Sequence, residues 1–242
     1  MAFADPQLVI GHRGAAGISP ENTLPGFIKA QECGVQAVEL DVHMCGDKLC
    51  VIHDETLERT TSGTGPIANW DPAELRQLDA GEGATIPFLE EVFDCLSSDV
   101  GVNVELKGAG TAIPLAQLLR HYPDREVLVS SFDHQALFDF RGVAAGTPVA
   151  PLFQRWSKDP CRIAKELDAE FVNLSQRAIN ENRMREIASN GLRCLVYTVN
   201  EAALARELLK CGVSGIFTDY PDQITLAVLN DPGLAGVDTS HR

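Results

Sequence analysis

At 242 residues, 45% hydrophobic and 22% charged, the chain can bury one large core and matches the usual size of a (β/α)8 barrel. A formal charge of −14 with no basic stripe argues against a nucleic-acid surface, and an anionic substrate would need cations gathered locally at its site. Seven dispersed cysteines without a CxxC pair read as reduced core thiols rather than a disulfide framework or a zinc centre.

The first strand is LVIG (8–11). An apolar run that starts at Leu8 leaves no room for a signal peptide, and no run reaches membrane-spanning length. A cytoplasmic protein without stable membrane association is therefore expected. A helix over 24–33 follows, with Leu24, Phe27 and Ile28 on one face and Gly34 as its terminator. The second strand is AVELDV (37–42), and residues 43 to 88 after it are far longer than an ordinary βα connection. They hold a hairpin (HMCGDKLCVIHD), a polar tip (TTSGTG) and a helix that Asp71 caps, Pro72 begins and Gly81 closes. Further strands are expected over 102–106, 127–131, 149–153, 171–174, 194–199 and 215–219. Helices are expected over 111–120, 134–140, 160–167, 180–190, 201–210 and 222–229, and the tail after 231 is expected to fray.

Strands separated regularly by helices must pair in parallel, because parallel neighbours need a crossover between them. Strand number and chain length favour a closed α/β TIM barrel over an open doubly wound sheet. The expectation is one domain spanning 1–242, with a small insertion after strand 2.

Side chains alternate along a strand, so AVELDVHM sets Val38, Leu40, Val42 and Met44 against Ala37, Glu39, Asp41 and His43. VNVELK likewise sets Val102, Val104 and Leu106 against Asn103, Glu105 and Lys107. The apolar sets must meet the helices, so the polar sets point inward near the strands' C-terminal ends, where barrel sites are built. Glu39, Asp41 and Glu105 would repel one another without a cation, and oxygen-only ligands favour one Mg²⁺ or Ca²⁺. The alternative is neutralisation by Lys107 and Arg13 in a structural ion-pair network.

His12 ends strand 1 and His53-Asp54 ends the hairpin, so both histidines open onto the same mouth. Two imidazoles beside a metal and two cationic side chains suit displacement at a phosphodiester. One takes the proton of the attacking oxygen and the other protonates the leaving alkoxide, while Arg13 and the metal stabilise phosphoryl charge. His43, His121, His134 and His241 are read as structural. Asp54 either orients His53 or opens a turn; Glu21-Asn22-Thr23 either caps the following helix or, through Glu21, supports His12. The short GTG, GEG and GAG stretches are turn glycines, not phosphate loops.

GHRG (11–14), PENT (20–23), ELDV (39–42), HD (53–54), LERTTSGTG (57–65), VELK (104–107), SSFDH (130–134), YTVN (197–200) and GIFTDYPD (215–222) together resemble the glycerophosphodiester phosphodiesterases. These motifs occur in family order and cover nearly the whole chain. The resemblance implies a metal-dependent TIM barrel that cleaves glycerophosphodiesters to sn-glycerol 3-phosphate and an alcohol. It implies His12 and His53 as the acid/base pair and Glu39, Asp41 and Glu105 as ligands of one divalent cation. Arg13, Lys107, Phe132 and Tyr197 would meet the substrate, with Glu21, Asn22 and Asp54 behind them. It also implies attack by the substrate's own glycerol 2-hydroxyl, through a cyclic phosphate that water opens. Tyr197 stands where the family commonly has Trp, which keeps an aromatic wall and adds a hydroxyl.

The expected partner is a small glycerophosphodiester such as glycerophosphocholine or glycerophosphoethanolamine. A lysophospholipase D acting on acylated substrates would need an apolar groove, and the insertion is polar, although Trp70 and Phe88 could line an acyl channel. A non-catalytic ligand-binding barrel has no chemical need for His12, His53 and all three acids together.

Overall fold

The apolar runs form nine strands in the computed structural model, which describes residues 2–156 and 159–231. These are β1 (Leu8–Gly11), β2 (Ala37–Cys45), β3 (Lys48–Val51), β4 (Gly101–Leu106), β5 (Val127–Ser131), β6 (Val149–Phe153), β7 (Phe171–Ser175), β8 (Arg193–Tyr197) and β9 (Gly215–Thr218). β1 pairs in parallel with both β2 and β9, so the ring closes through β4 to β8, as a TIM barrel requires. β3 lies outside the ring and pairs antiparallel with β2, forming the hairpin expected after strand 2.

Helices α1 (Leu24–Glu32), α2 (Pro72–Leu75), α3 (Leu89–Cys95), α4 (Ala112–Leu119), α5 (His134–Val143), α6 (Pro160–Glu166), α7 (Glu181–Ser189), α8 (Ala202–Lys210) and α9 (Leu226–Asn230) occupy the crossovers, the insertion and the C-terminal side. Caps start several of them: Thr23, Asp71, Asp133 and Asn180 each accept a hydrogen bond from a first-turn backbone N–H. Among the described residues, no helix is long and apolar enough to cross a membrane.

The alternation along β2 and β4 divides two cores. Val38, Leu40, Val42, Val102, Val104 and Leu106 pack outward with Phe27, Val92, Phe93 and Leu115 from the helices. Leu8, Ile10, Ala37, Leu128, Phe171, Leu195 and Phe217 fill the barrel interior together with Phe3. Phe3 meets Phe171 edge-on at 6.4 Å and lies against Gly101 at the start of β4, so it plugs the bottom of the barrel. The acids Glu39, Asp41 and Glu105 gather towards the opposite, C-terminal end.

Three elements differ from expectation. Helix α3 has no counterpart among the helices expected from the sequence, because its apolar positions Leu89, Val92 and Phe93 span barely two turns beside a proline and a polar insertion. Its signature was Glu91, whose side chain accepts the Phe88 backbone N–H at 2.8 Å. Helix α2 stops after one turn instead of reaching Gly81, because the Asp79 carboxylate accepts from the Gly81 and Gly83 N–H groups and folds the chain into a turn. Helix α9 starts at Leu226 rather than 222, where Thr225 caps it by accepting from Val228 N–H. The tail after 231, including His241, lies outside the described residues.

The insertion has its own small core of Cys45, Cys50, Ile52, Leu57, Ile67, Leu75, Ala80 and Ile86, with Trp70, Leu78 and Phe88 against it.

Candidate active site

Strand register assembles the acid cluster. Asp41 on β2 lies beside Glu105 on β4, and Glu39 stands one inward position below Asp41. The three are buried, and carboxylate oxygens from each lie within 4.8 Å of one another. Burial, then repulsion from Asp41 and Glu105, pushes the Glu39 carboxyl well above its ordinary range. Burial and Asp41 push Glu105 up to about 7. Two cations soften the cluster: Lys107 Nζ lies 3.1 Å from Glu105 and 3.9 Å from Asp41, and Arg13 Nε lies 3.5 Å from Asp41. They do not neutralise it, since two of the acids still favour protonation. A buried all-oxygen donor set of this kind fits a hard divalent cation.

Arg13 and Asn22 both adopt left-handed backbone conformations, φ 51° and 55°, which non-glycine residues rarely take without a reason. The gain for Arg13 is a hydrogen bond from its N–H to Glu39 Oε2 at 2.9 Å. Asn22 Nδ2 donates to Asp41 Oδ2 at 3.0 Å. The turn that carries them needs glycine at Gly11, where a Cβ would sit 2.3 Å from the Gly14 carbonyl oxygen. Within PENT only Thr23 is the cap. Asn22 steadies a carboxylate of the cluster, and Glu21 serves neither the helix nor His12: it accepts from Arg13 Nη1 at 2.8 Å and from Arg59. Those two guanidinium groups outweigh burial and hold the Glu21 carboxyl below its ordinary range.

His12 leaves the end of β1, its N–H donating to the Thr218 carbonyl of β9. Its Nδ1 lies 2.6 Å from Asp219 Oδ1. A carboxylate only accepts, so Nδ1 carries the proton and Nε2 is left for the cavity, 3.9 Å from Glu39. Asn200 Nδ2 donates to the other Asp219 oxygen at 2.6 Å. Burial raises the Asp219 carboxyl, but the hydrogen bond and charge of His12 outweigh it and leave it below its ordinary range.

His53 is built the same way from the other side of the mouth. Its Nδ1 lies 2.5 Å from Asp54 Oδ1, so Asp54 orients the ring rather than merely opening a turn. Burial holds the His53 imidazole below its ordinary pKa, which favours the neutral ring. Arg59 fastens this pair to the β1 loop, donating to Asp54 Oδ2 at 2.5 Å and to both Glu21 oxygens at 2.8 Å. His43 faces inward but hydrogen-bonds the His53 carbonyl at 3.0 Å, a structural role, and His134 does the same with the Leu152 carbonyl.

His12, Arg13, Glu39, His53, Glu105 and Lys107 open onto one cavity of about 240 Å³, with Phe132 and Tyr197 on its far wall. Phe132 and Tyr197 meet edge to face at 5.9 Å, and Lys107 Nζ lies 5.8 Å from the Phe132 ring centre. Asp219, Asn200 and Arg59 were missed as site residues, although all three lie in quoted motifs. A carboxylate spaced to follow a strand end was the available signal. Ser130, from the SSFDH motif, also lines the cavity, as do Asn103, Gln154 and Asn173, which carried no motif. Trp70 and Phe88 are not among its lining residues; they belong to the core of the insertion.

A barrel mouth that pairs two cavity-facing imidazoles with a carboxylate cluster and two cations defines a class, the phosphoric diester hydrolases. Within it, the chain belongs to the glycerophosphoryl diester phosphodiesterase family, whose model matches residues 12–223. It is an enzyme that cleaves glycerophosphodiesters to sn-glycerol 3-phosphate and an alcohol. It is 34% identical to a glycerophosphodiester phosphodiesterase of Caldanaerobacter subterraneus, over 90% of this chain and 96% of that one. An Oleispira antarctica phosphodiesterase, solved with the product sn-glycerol-3-phosphate, matches with a TM-score of 0.89 and 30% identity over 95% of this chain and 99% of that one. A glycerophosphodiester phosphodiesterase of Agrobacterium tumefaciens matches with a TM-score of 0.77 and 30% identity, covering 89% and 97%. The family is generally metal-dependent.

Proposed function

We propose that His12 and His53 are the acid–base pair of this hydrolase, and that Glu39, Asp41 and Glu105 hold one Mg²⁺ or Ca²⁺. The observation that carries this reading is the matched construction of the two histidines. Each has Nδ1 held by a carboxylate, Asp219 or Asp54, and each reaches the cavity that Glu39 and Glu105 of the acid cluster line. An imidazole fixed in that tautomer offers a lone pair on Nε2, takes a proton from the attacking oxygen and becomes an imidazolium that its carboxylate stabilises. Its counterpart, protonated, gives its proton to the leaving alkoxide. Arg13 and Lys107 draw the phosphodiester anion into an otherwise acidic molecule and share its charge as the transition state forms. A divalent cation, when bound, adds Lewis-acid stabilisation of the phosphoryl oxygens. Phe132 and Tyr197 form the apolar wall against which the carbon skeleton packs.

The substrate is a small glycerophosphodiester, such as glycerophosphocholine or glycerophosphoethanolamine. Trp70 and Phe88 are taken up by the core of the insertion, which weighs against an acyl channel. All seven cysteines are free, which fits a reducing compartment, and we place the enzyme in the cytoplasm.

The test is a coupled sn-glycerol 3-phosphate assay across a headgroup panel that includes lysophospholipids, run after EDTA treatment and again with Mg²⁺, Ca²⁺ or Mn²⁺ restored. Turnover of the small diesters that disappears on chelation and returns with the metal is the expected result. Release from acylated substrates alone would overturn the substrate, and full activity after chelation would make the acid cluster structural.

A further inference from the structure

The deep end of the cavity holds polar atoms that the acid–base chemistry leaves unused. Asn173 on β7 is wholly buried, lines the cavity, and neither its Nδ2 nor its Oδ1 has a hydrogen-bond partner. Asn103 on β4, also buried, donates from Nδ2 to Ser130 Oγ at 2.9 Å, while its Oδ1 is unpartnered. The buried Tyr197 hydroxyl on β8 is unpartnered too. Register brings two of them together: Asn173 pairs with Leu195, and Tyr197 is the next inward residue along β8. Leu152 and Phe217 line the same cavity, so the polar atoms share their walls with apolar side chains.

Buried polar atoms are almost always satisfied, by protein, ordered water or a ligand, so such a set opening onto the substrate cavity marks a polar subsite. The missing partner must both accept, for Asn173 Nδ2, and donate, for Asn173 Oδ1 and Asn103 Oδ1. A hydroxyl does both. A quaternary ammonium does neither, and a primary ammonium only donates.

Resting on the function proposed above, we propose that Asn173, Asn103 and the Tyr197 hydroxyl form a hydroxyl-recognition subsite for the polyol end of the diester. It takes either the glycerol of the glycerophosphate or a hydroxylated leaving alcohol. Asn173 is its specificity-determining residue, because it offers both a free donor and a free acceptor. Tyr197 contributes a hydroxyl oxygen that a purely hydrocarbon ring would not.

The experiment measures kcat/KM for paired substrates in two arms. One arm compares glycerophosphoglycerol with the glycerophosphate ester of propanol. The other removes the terminal hydroxyl from the glycerol end and keeps the central one. The wild type should prefer the hydroxylated member by about tenfold or more in at least one arm, and that arm identifies the end that is bound. Asn173→Leu should bring the ratio towards one, and Tyr197→Phe should lower it while keeping the ring. No preference in either arm, or an unchanged ratio in both variants, overturns the subsite even though diesters are turned over.

Ligand-observed NMR with glycerol as the probe needs no turnover and separates the two readings. Binding to the wild type that is lost in both variants supports the subsite even if no diester is cleaved. Equal binding to all three proteins, or none to the wild type, overturns it. A variant that fails to fold shows itself in its thermal melt, and the other then decides.

Discussion

At the residue scale, both histidines depend on a carboxylate behind them. His12→Ala and His53→Ala should each abolish measurable turnover while leaving the circular-dichroism spectrum and melting temperature close to wild type. Near-normal activity in either variant removes that histidine from the reaction. Asp219→Asn keeps the side-chain shape, but its amide can satisfy His12 Nδ1 in either tautomer, so the cavity-facing lone pair is no longer assured. The expected effect is a fall in kcat of roughly 10²–10⁴ with a much smaller change in KM. An unchanged kcat would reduce Asp219 to a structural partner. His12 was visible in the sequence because His-Arg seldom ends an apolar strand, and His53 because His-Asp closes the hairpin after strand 2. Asp219 and Arg59 were not, because what makes them matter is contact with residues distant in the chain: 207 positions separate Asp219 from His12, and 38 separate Arg59 from Glu21.

At the element scale, the loop after β1 and the insertion after β2 are tied by side chains rather than by backbone pairing between them. Arg59 of the insertion grips Glu21, which grips Arg13, and the same guanidinium holds the carboxylate that orients His53. Helix α3 does a different job: it packs against α1 and the hairpin strand β3 and joins the outer core through Leu89, Val92 and Phe93. Phe93 is its buried anchor, 1% exposed and 5.0 Å edge-on to Tyr122. Phe93→Ala should cost roughly 3–5 kcal/mol through lost burial and an unfilled cavity, read as a lower urea midpoint. A change below about 1 kcal/mol would mean that α3 is peripheral to the core. The strands were legible throughout, with ends within a residue or two except at β2, which runs three residues further to Cys45, because apolar runs and alternating side chains fit a strand and not a helix. The capped one-turn α2 and the short α3 were harder, since fewer than two turns of periodicity give a weak signal.

At the scale of the whole molecule, the acid cluster couples protonation to folding and, as the proposed metal site, would couple both to a cation. The folded state raises the Glu39 and Glu105 carboxyls, so without metal it binds protons more tightly than the unfolded chain does. Their contribution to stability is therefore present below the unfolded value and is lost as pH rises through the folded one, about 7 for Glu105. A cation held by the deprotonated carboxylates, as proposed above, would reverse that loss. Adding Mg²⁺ or Ca²⁺ to chelated enzyme should raise Tm more at about pH 8 than at about pH 5. An equal shift at both would show that the ion binds elsewhere.

The sequence by itself determined the barrel, the inward placement of Glu39, Asp41 and Glu105, and the positions of His12 and His53 at strand ends. Each of these follows from a local rule: alternation along a strand, punctuation between elements, and the cost of burying like charges. Only the tertiary structure decided that Asp219 and Asp54 hold the two imidazoles, that Glu21 serves two arginines, and that Asn103 and Asn173 hold unpartnered atoms in the cavity wall. Asp54 follows His53 directly and Glu21 reaches Arg13 within one loop, but the meetings of Asp219 with His12 and of Asn173 with the site are made across the ring, where β9 returns to β1 and β7 faces the site from the far side. No spacing along the chain encodes which side chains meet there. Closure of the sheet brings them together.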